Sequence, residues 1–252
     1  MGCAPLVRQV MDHIDTPEGR RLAYELIPGE GPGIVFLGGF RSDMEGSKAL
    51  HLREVAKRGG RGFLRFDYSG HGASSGAFED GAIGDWARDA EAALSLTQGP
   101  QILVGSSMGG WISLLLAKRM PERIHALLLI APAPDFTEDG FWAGMDEPTR
   151  ARLMDHGSIQ VPSDYEEPYT ITRRLIEEGR ENLVMRAPLP LPFPVRILIG
   201  TADEAVPIEW VLRLLAHADG PDMRATLVKG ADHRFSEPRE LALIEDAVLG
   251  IG

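Results

Sequence analysis

The chain has 252 residues, 44% hydrophobic and 25% charged, with a formal net charge of −11. That length suits one large α/β unit, or a core with an insertion, of ordinary globular composition. No basic run is longer than a pair such as Arg173-Arg174, so a nucleic-acid backbone would be repelled and nucleic-acid partners are excluded.

The lone cysteine, Cys3, leaves no intramolecular disulfide framework and no cysteine-based zinc site. No apolar run reaches the ~18–20 residues of a membrane-spanning helix. The first residues, MGCAPLVRQVMDHIDT, lack the basic-then-apolar layout of a secretory signal. These features lead to the expectation of a soluble, cytoplasmic protein without a membrane span.

In chain order, residues 7–14 and 21–28 flank the turn DTPEGR and predict an antiparallel hairpin at a sheet edge. The run IVFLGGF (34–40) predicts a strand, 47–58 a helix, GFLRFDY (62–68) a strand and 84–96 a helix. QILVG (101–105) predicts a third buried strand, 108–119 a helix and ALLLIAPA (126–133) a fourth strand. Runs this short and this apolar suit the middle of a parallel sheet covered on both faces. Residues 134–192 break the rhythm: prolines recur, no buried strand is visible, and two helices are expected at 149–156 and 165–182. A long insertion between core strands reads as a helical cap or lid. VRILIG (195–200) and RATLVKG (224–230) return to strands, and 238–249 predicts a last helix. The core is therefore expected at 1–133 and 193–252, with strands and helices alternating through right-handed crossovers.

Two stretches fit G-x-S-x-G, at 72–76 (GASSG) and 105–109 (GSSMG). A nucleophilic serine on this pattern needs a strand running in and a helix running out. The first stretch is followed by the loop-like AFEDGAIGD; the second lies between QILVG and MGGWISLLLAKRM. Ser107 is thus the candidate nucleophile. A serine hydroxyl needs a base, and the base needs an orienting acid. Of the four histidines that follow, His125 lies at the wrong end of its strand, His156 in the insertion and His217 in a helical pattern. His233 remains, just past the last strand. For the acid, Asp203 follows VRILIG, while Asp135, one strand earlier, is a topological rival. Charge developing on the carbonyl oxygen calls for two N–H donors. The backbone amides of Met108 and Phe40 are the candidates, the latter with a side chain expected to be free to vary.

With these parts in order, the chain resembles an α/β-hydrolase over nearly its full length. More narrowly, RFDYSGHGASSG, QILVGSSMGGW, ADHRF and VPSDY resemble the branch of acyl-protein (palmitoyl) thioesterases and acyl-glucuronide esterases. The resemblance implies an α/β-hydrolase fold with a mostly parallel sheet, helices on both faces and a helical cap. It also implies a serine hydrolase that cleaves acyl thioesters or carboxylic esters of small-molecule or protein-bound acyl groups. Ser107, Asp203 and His233 match the family triad, and no metal or organic cofactor is expected. A carboxylesterase or peptidase of the same fold is the alternative, and a non-catalytic ligand-binding module a further one. Dehalogenase and epoxide hydrolase chemistry would put a carboxylate where Ser107 stands.

Overall fold

A computed structural model describes residues 11–161 and 168–251. The expectations at residues 7–10 and 162–167, including most of VPSDY and the start of the helix expected from 165, lie outside the described residues.

The N-terminal hairpin is β1 (Asp12–Asp15) and β2 (Arg21–Ile27). There follow β3 (Glu30–Leu37), α1 (Ser47–Gly59), β4 (Arg61–Phe66) and α2 (Ile83–Leu94). Next come β5 (Gln101–Ser106), α3 (Met108–Arg119) and β6 (Ile124–Ile130). Between β6 and the next strand of the main sheet lie α4 (Glu147–His156), β7 (Ser158–Val161), β8 (Tyr169–Thr172) and α5 (Arg173–Glu181). The chain ends with β9 (Val195–Gly200), α6 (Ile208–His217), β10 (Met223–Val228) and α7 (Pro238–Leu249).

Eight strands form one sheet in the order β1-β2-β4-β3-β5-β6-β9-β10. From β4 to β10 every pair is parallel, while β1 and β2 are antiparallel additions at one edge. Strand alternation divides the core in two. Ile34, Phe36, Ile102, Val104, Leu128 and Ile130 face α1 and α7. Val35, Leu37, Leu103, Leu127 and Leu129 face α2 and α3. Such two-sided burial is what continuous apolar strands require. The chain leaves β3 toward one face and β5 toward the other, so a crevice opens beyond the C-terminal ends of these paired strands, where sheets of this kind bind ligands.

The segment between β6 and β9 differs from the all-helical expectation. It contains an antiparallel pair, β7 with β8, in which Ile159 stands opposite Ile171. Both isoleucines are buried, and the intervening positions face outward. A strand of four residues has too little pattern to stand out in the sequence. The two ends of the segment are tied to each other by Asp135, which is fully buried at φ 59°. Its carboxylate accepts hydrogen bonds from the amides of Val184 (2.8 Å) and Met185 (3.0 Å) and from the Arg186 guanidinium (2.9 Å). The rival acid of the sequence reading is thus an anchor, remote from the histidine. Further ties run from Glu178 to the Gly84 amide (2.8 Å) and from the Trp111 indole to the Asn182 carbonyl (3.1 Å).

The glycine-rich loop after β4 is a brace. Ser74 Oγ donates to the Asp67 carbonyl (2.6 Å) and accepts from the Ala23 amide (2.9 Å), and Ser75 Oγ accepts from the Arg21 amide (2.8 Å). His71 is buried against Tyr68, Phe78 and Trp86. Its Nδ1 donates to the Ser69 carbonyl, and Nε2 has no partner.

Two predictions follow from this packing. Asp135→Ala leaves the buried Val184 amide and the half-buried Met185 amide without their acceptor, while Arg186 keeps its bonds to Asp139, and is expected to lower unfolding free energy by about 2 kcal/mol in urea titrations. Burial holds the His71 pKa below its ordinary value, with nearby Arg41 adding to the effect against the bond to Ser69. Above about pH 6.5 the imidazole is neutral in both folded and unfolded chains. Below that, the unfolded chain takes up the proton first, so stability declines as pH falls toward the folded-state value. Denaturation at pH 7.5 and 5.5 should show a smaller loss for His71→Phe than for the unsubstituted chain.

Candidate active site

β5 ends at Ser106, α3 begins at Met108, and Ser107 lies between them at φ 55°, ψ −116°. A non-glycine residue in that region is strained and persists only where its surroundings hold it. Here the hold is on the backbone. The Ser107 amide donates to the Ile130 carbonyl (2.9 Å), and its carbonyl accepts from Gly110 (2.9 Å) and Ala133 (3.1 Å). The flanking glycines are obligatory on contact grounds. A Cβ at Gly105 would meet the Gly109 carbonyl oxygen at 2.4 Å, and one at Gly109 would meet the Leu37 carbonyl oxygen at 2.1 Å.

The three side chains singled out in the sequence come together at this edge. His233 Nε2 is 3.2 Å from Ser107 Oγ, and His233 Nδ1 is 2.8 Å from Asp203 Oδ2. The Asp203 side chain is fully buried. Its other oxygen accepts from the amides of Ala205 (2.9 Å) and Val206 (2.8 Å), which fix the carboxylate with one oxygen left for the imidazole. The geometry forms a relay in which a proton can pass from hydroxyl to imidazole while the carboxylate holds the ring.

The loop after β3 lies against the serine. A Cβ at Gly39 would be 3.5 Å from Ser107 Cβ, and the loop closes on itself where Ser42 bonds the Gly39 carbonyl through both its amide (3.2 Å) and its hydroxyl (2.9 Å). Phe40 is the next residue. Met108 occupies the first position of α3, where an N–H has no intrahelical acceptor. The Phe40 ring is not indifferent, contrary to the sequence expectation. It makes edge contacts with Phe78 (4.9 Å between centroids), Phe136 (5.5 Å), Phe141 (5.7 Å), Trp86 (6.0 Å) and Tyr169 (6.0 Å). Against this loop a cavity of about 320 Å³ opens on Ser107 and His233, with Phe40, Ser42, Ser47, Lys48 and Ser236 in its wall. Sequence reasoning missed both features, because the aromatic residues come from four separate stretches of chain and Lys48 lies 185 positions from His233.

Among the described residues no helix is long and apolar enough to cross a membrane, and no group of three or more His, Cys, Asp and Glu side chains converges as metal ligands.

The model of the alpha/beta hydrolase family matches residues 34–243. The chain is 36% identical over 240 residues to the palmitoyl-protein thioesterase ABHD10, mitochondrial, of Rattus norvegicus, covering 94% of this chain and 80% of that protein. Among solved structures, a hydrolase of Agrobacterium vitis superposes with a TM-score of 0.92 at 39% identity, over 96% of this chain and 98% of the other. The alpha/beta hydrolase domain-containing protein 10 from mouse gives 0.90 at 34% identity, over 96% and 97%. The expected cytoplasmic location is overturned, since the rat relative is named as mitochondrial. Acidic charge and a lack of long apolar runs suit any aqueous compartment, so they carried no information on which one. Fold, motif order and sequence identity agree: the chain belongs to the alpha/beta hydrolase family.

Proposed function

We propose that this hydrolase cleaves acyl thioesters, and related carboxylic esters, through an acyl-enzyme on Ser107. The observation that carries the reading is the Ser107–His233–Asp203 relay at the crevice of the sheet. His233 removes the hydroxyl proton as Ser107 attacks the acyl carbonyl, and Asp203 stabilises the imidazolium. The amides of Met108 and Phe40 receive the oxyanion, at the positive end of α3. The imidazolium then protonates the departing thiol or alcohol. Water, activated by the same imidazole, releases the acid.

Two regions beside Phe40 divide the substrate. The aromatic cluster, to which Phe136, Phe141 and Tyr169 of the 134–192 segment contribute, receives the apolar acyl group, and that segment acts as a cap over it. The cavity beside His233, with Ser42, Ser47 and Lys48 in its wall, receives the leaving group, next to the side chain that must protonate it. The choice of a thioester draws its support from the ABHD10 relatives, named palmitoyl-protein thioesterases.

Ser107→Ala is expected to lower kcat by roughly 10⁴-fold or more while leaving the melting temperature within a few degrees. Asp203→Asn is expected to cost about 10³- to 10⁴-fold through loss of imidazole orientation. Fluorophosphonate labelling with peptide mapping locates the adduct; an adduct at Ser74 or Ser75, or retained turnover in Ser107→Ala, contradicts the assignment. Matched octanoyl thioesters and oxygen esters, compared by kcat/KM, test the leaving group. Phe141→Ala removes apolar surface worth roughly 1–2 kcal/mol, so kcat/KM for the octanoyl thioester should fall about 10-fold, and that for the acetyl thioester far less. Equal losses on both would place the acyl chain elsewhere.

A further inference from the structure

His233 stands on a turn that is held at two points. On its N-terminal side, the Ala231 carbonyl accepts from the Ala202 amide (3.0 Å) and the Gly230 amide donates to Thr201 Oγ1 (2.9 Å). These bonds tie the histidine to the segment that carries Asp203. On its C-terminal side, Phe235 has φ 48° and a fully buried ring, and its amide reaches back to Asp232 Oδ1 (3.2 Å). A phenylalanine at positive φ is strained, and the strain tends to relax unless the turn is pinned from outside. One outside contact is the packing of the Phe235 ring in the core, and another is Lys48. From the first turn of α1 its ammonium crosses the cavity wall and donates to the carbonyl of Arg234, the residue next to His233.

We propose that Lys48 is a positioning residue for His233, its ammonium clamping the Arg234 carbonyl so that the imidazole keeps its place between Ser107 and Asp203. A charge-assisted bond to a carbonyl is stronger and more directional than a neutral one. Such a clamp suits the position, because the relay depends on a 3.2 Å approach to Ser107 on one side and a 2.8 Å bond to Asp203 on the other. The first half of the turn follows the acid; Lys48 ties the second half to α1, which follows directly on the loop bearing Phe40. The clamp therefore links the base to the oxyanion side of the site. Burial draws the Lys48 pKa down to about 8 against the opposing pull of Asp232 and Glu240. The surrounding design is that of a reactive group held by a supporting shell.

The inference rests on the reading of His233 as the base. Its test is steady-state hydrolysis of an octanoyl thioester, with fluorophosphonate labelling rates, for the unsubstituted chain, K48M, K48Q and K48R. Ser107→Ala and His233→Ala serve as controls. K48M keeps the aliphatic stem, K48Q ends one atom short of the carbonyl, and K48R retains charge and donor. K48M and K48Q are expected to lose roughly 10-fold or more in kcat and in labelling rate, because small misplacements of a reacting group are costly. KM should stay within about two-fold and the melting temperature within a few degrees, with K48R recovering most of the rate. Unchanged kcat and labelling in K48M overturn the positioning role. So does failure of both K48M and K48Q to fold beside a folded K48R, because the ammonium would then serve the fold and not the histidine. Turnover retained in Ser107→Ala or His233→Ala overturns the underlying mechanism instead, whatever Lys48 does.

Discussion

The site depends on one crossing of backbone, where the Leu37 carbonyl at the end of β3 presses on Gly109 at the start of α3. A Cβ at Gly109 would stand 2.1 Å from that oxygen. β3 and β5 are parallel neighbours, so the chains that leave their C-terminal ends must pass each other within a few ångströms. Only glycine permits the passage. Because the two loops touch here, the serine on one and Gly39 on the other are brought side by side by the sheet itself. The strain at Ser107 is the counterpart of this closeness: its backbone is sewn to the end of β6 and cannot relax away from the crossing.

A site built at the mouth of a parallel sheet receives its parts from several strands, and each part must be fixed separately. Asp203 is fixed by two amides of its own loop, Ser107 by β6, and the Phe40 loop by Ser42. The histidine comes last in the chain and stands on a turn between β10 and α7. It borrows rigidity from its neighbours: Thr201 and Ala202 on one side, α1 through Lys48 on the other. This explains why a helix with no reacting group matters to the chemistry.

Legibility in the sequence followed locality. β3, β4, β5 and β6 could be read because burial on both faces leaves runs of apolar residues, interrupted in β4 by the buried Arg65. Ser107 was separable from Ser74 and Ser75 because strand, turn and helix are contiguous around it. The helical stripe of α3 was blurred, and the structure shows why: Met108 through Ala117 are all buried, so no polar face contrasts with the apolar one. The β7–β8 pair escaped notice because four residues carry at most two alternations. Asp135 could not be told from an acid by position, since it also follows a core strand. Only its three hydrogen bonds to residues about fifty positions away reveal an anchor. The Phe40 ring misled in the opposite sense, since an amide donor leaves its side chain chemically free but not sterically free.

That last distinction bears on specificity. A residue whose amide is proposed to receive the oxyanion and whose ring joins an aromatic cluster with the 134–192 segment couples two requirements that sequence treats as separate. Any shift of the cluster on binding an apolar group is transmitted to the backbone beside Ser107 through a single side chain, over one residue. Dense packing resists gradual deformation, so the ring contacts at 4.9–6.0 Å act to hold the loop in one place when the site is empty. The Asp135 anchor serves the same end from behind: it joins the start of the segment, which supplies Phe136 and Phe141, to its end at Val184 and Met185. The geometry around Ser107 is thereby set from three directions at once, by the sheet below, by α1 beside the histidine turn, and by aromatic rings above.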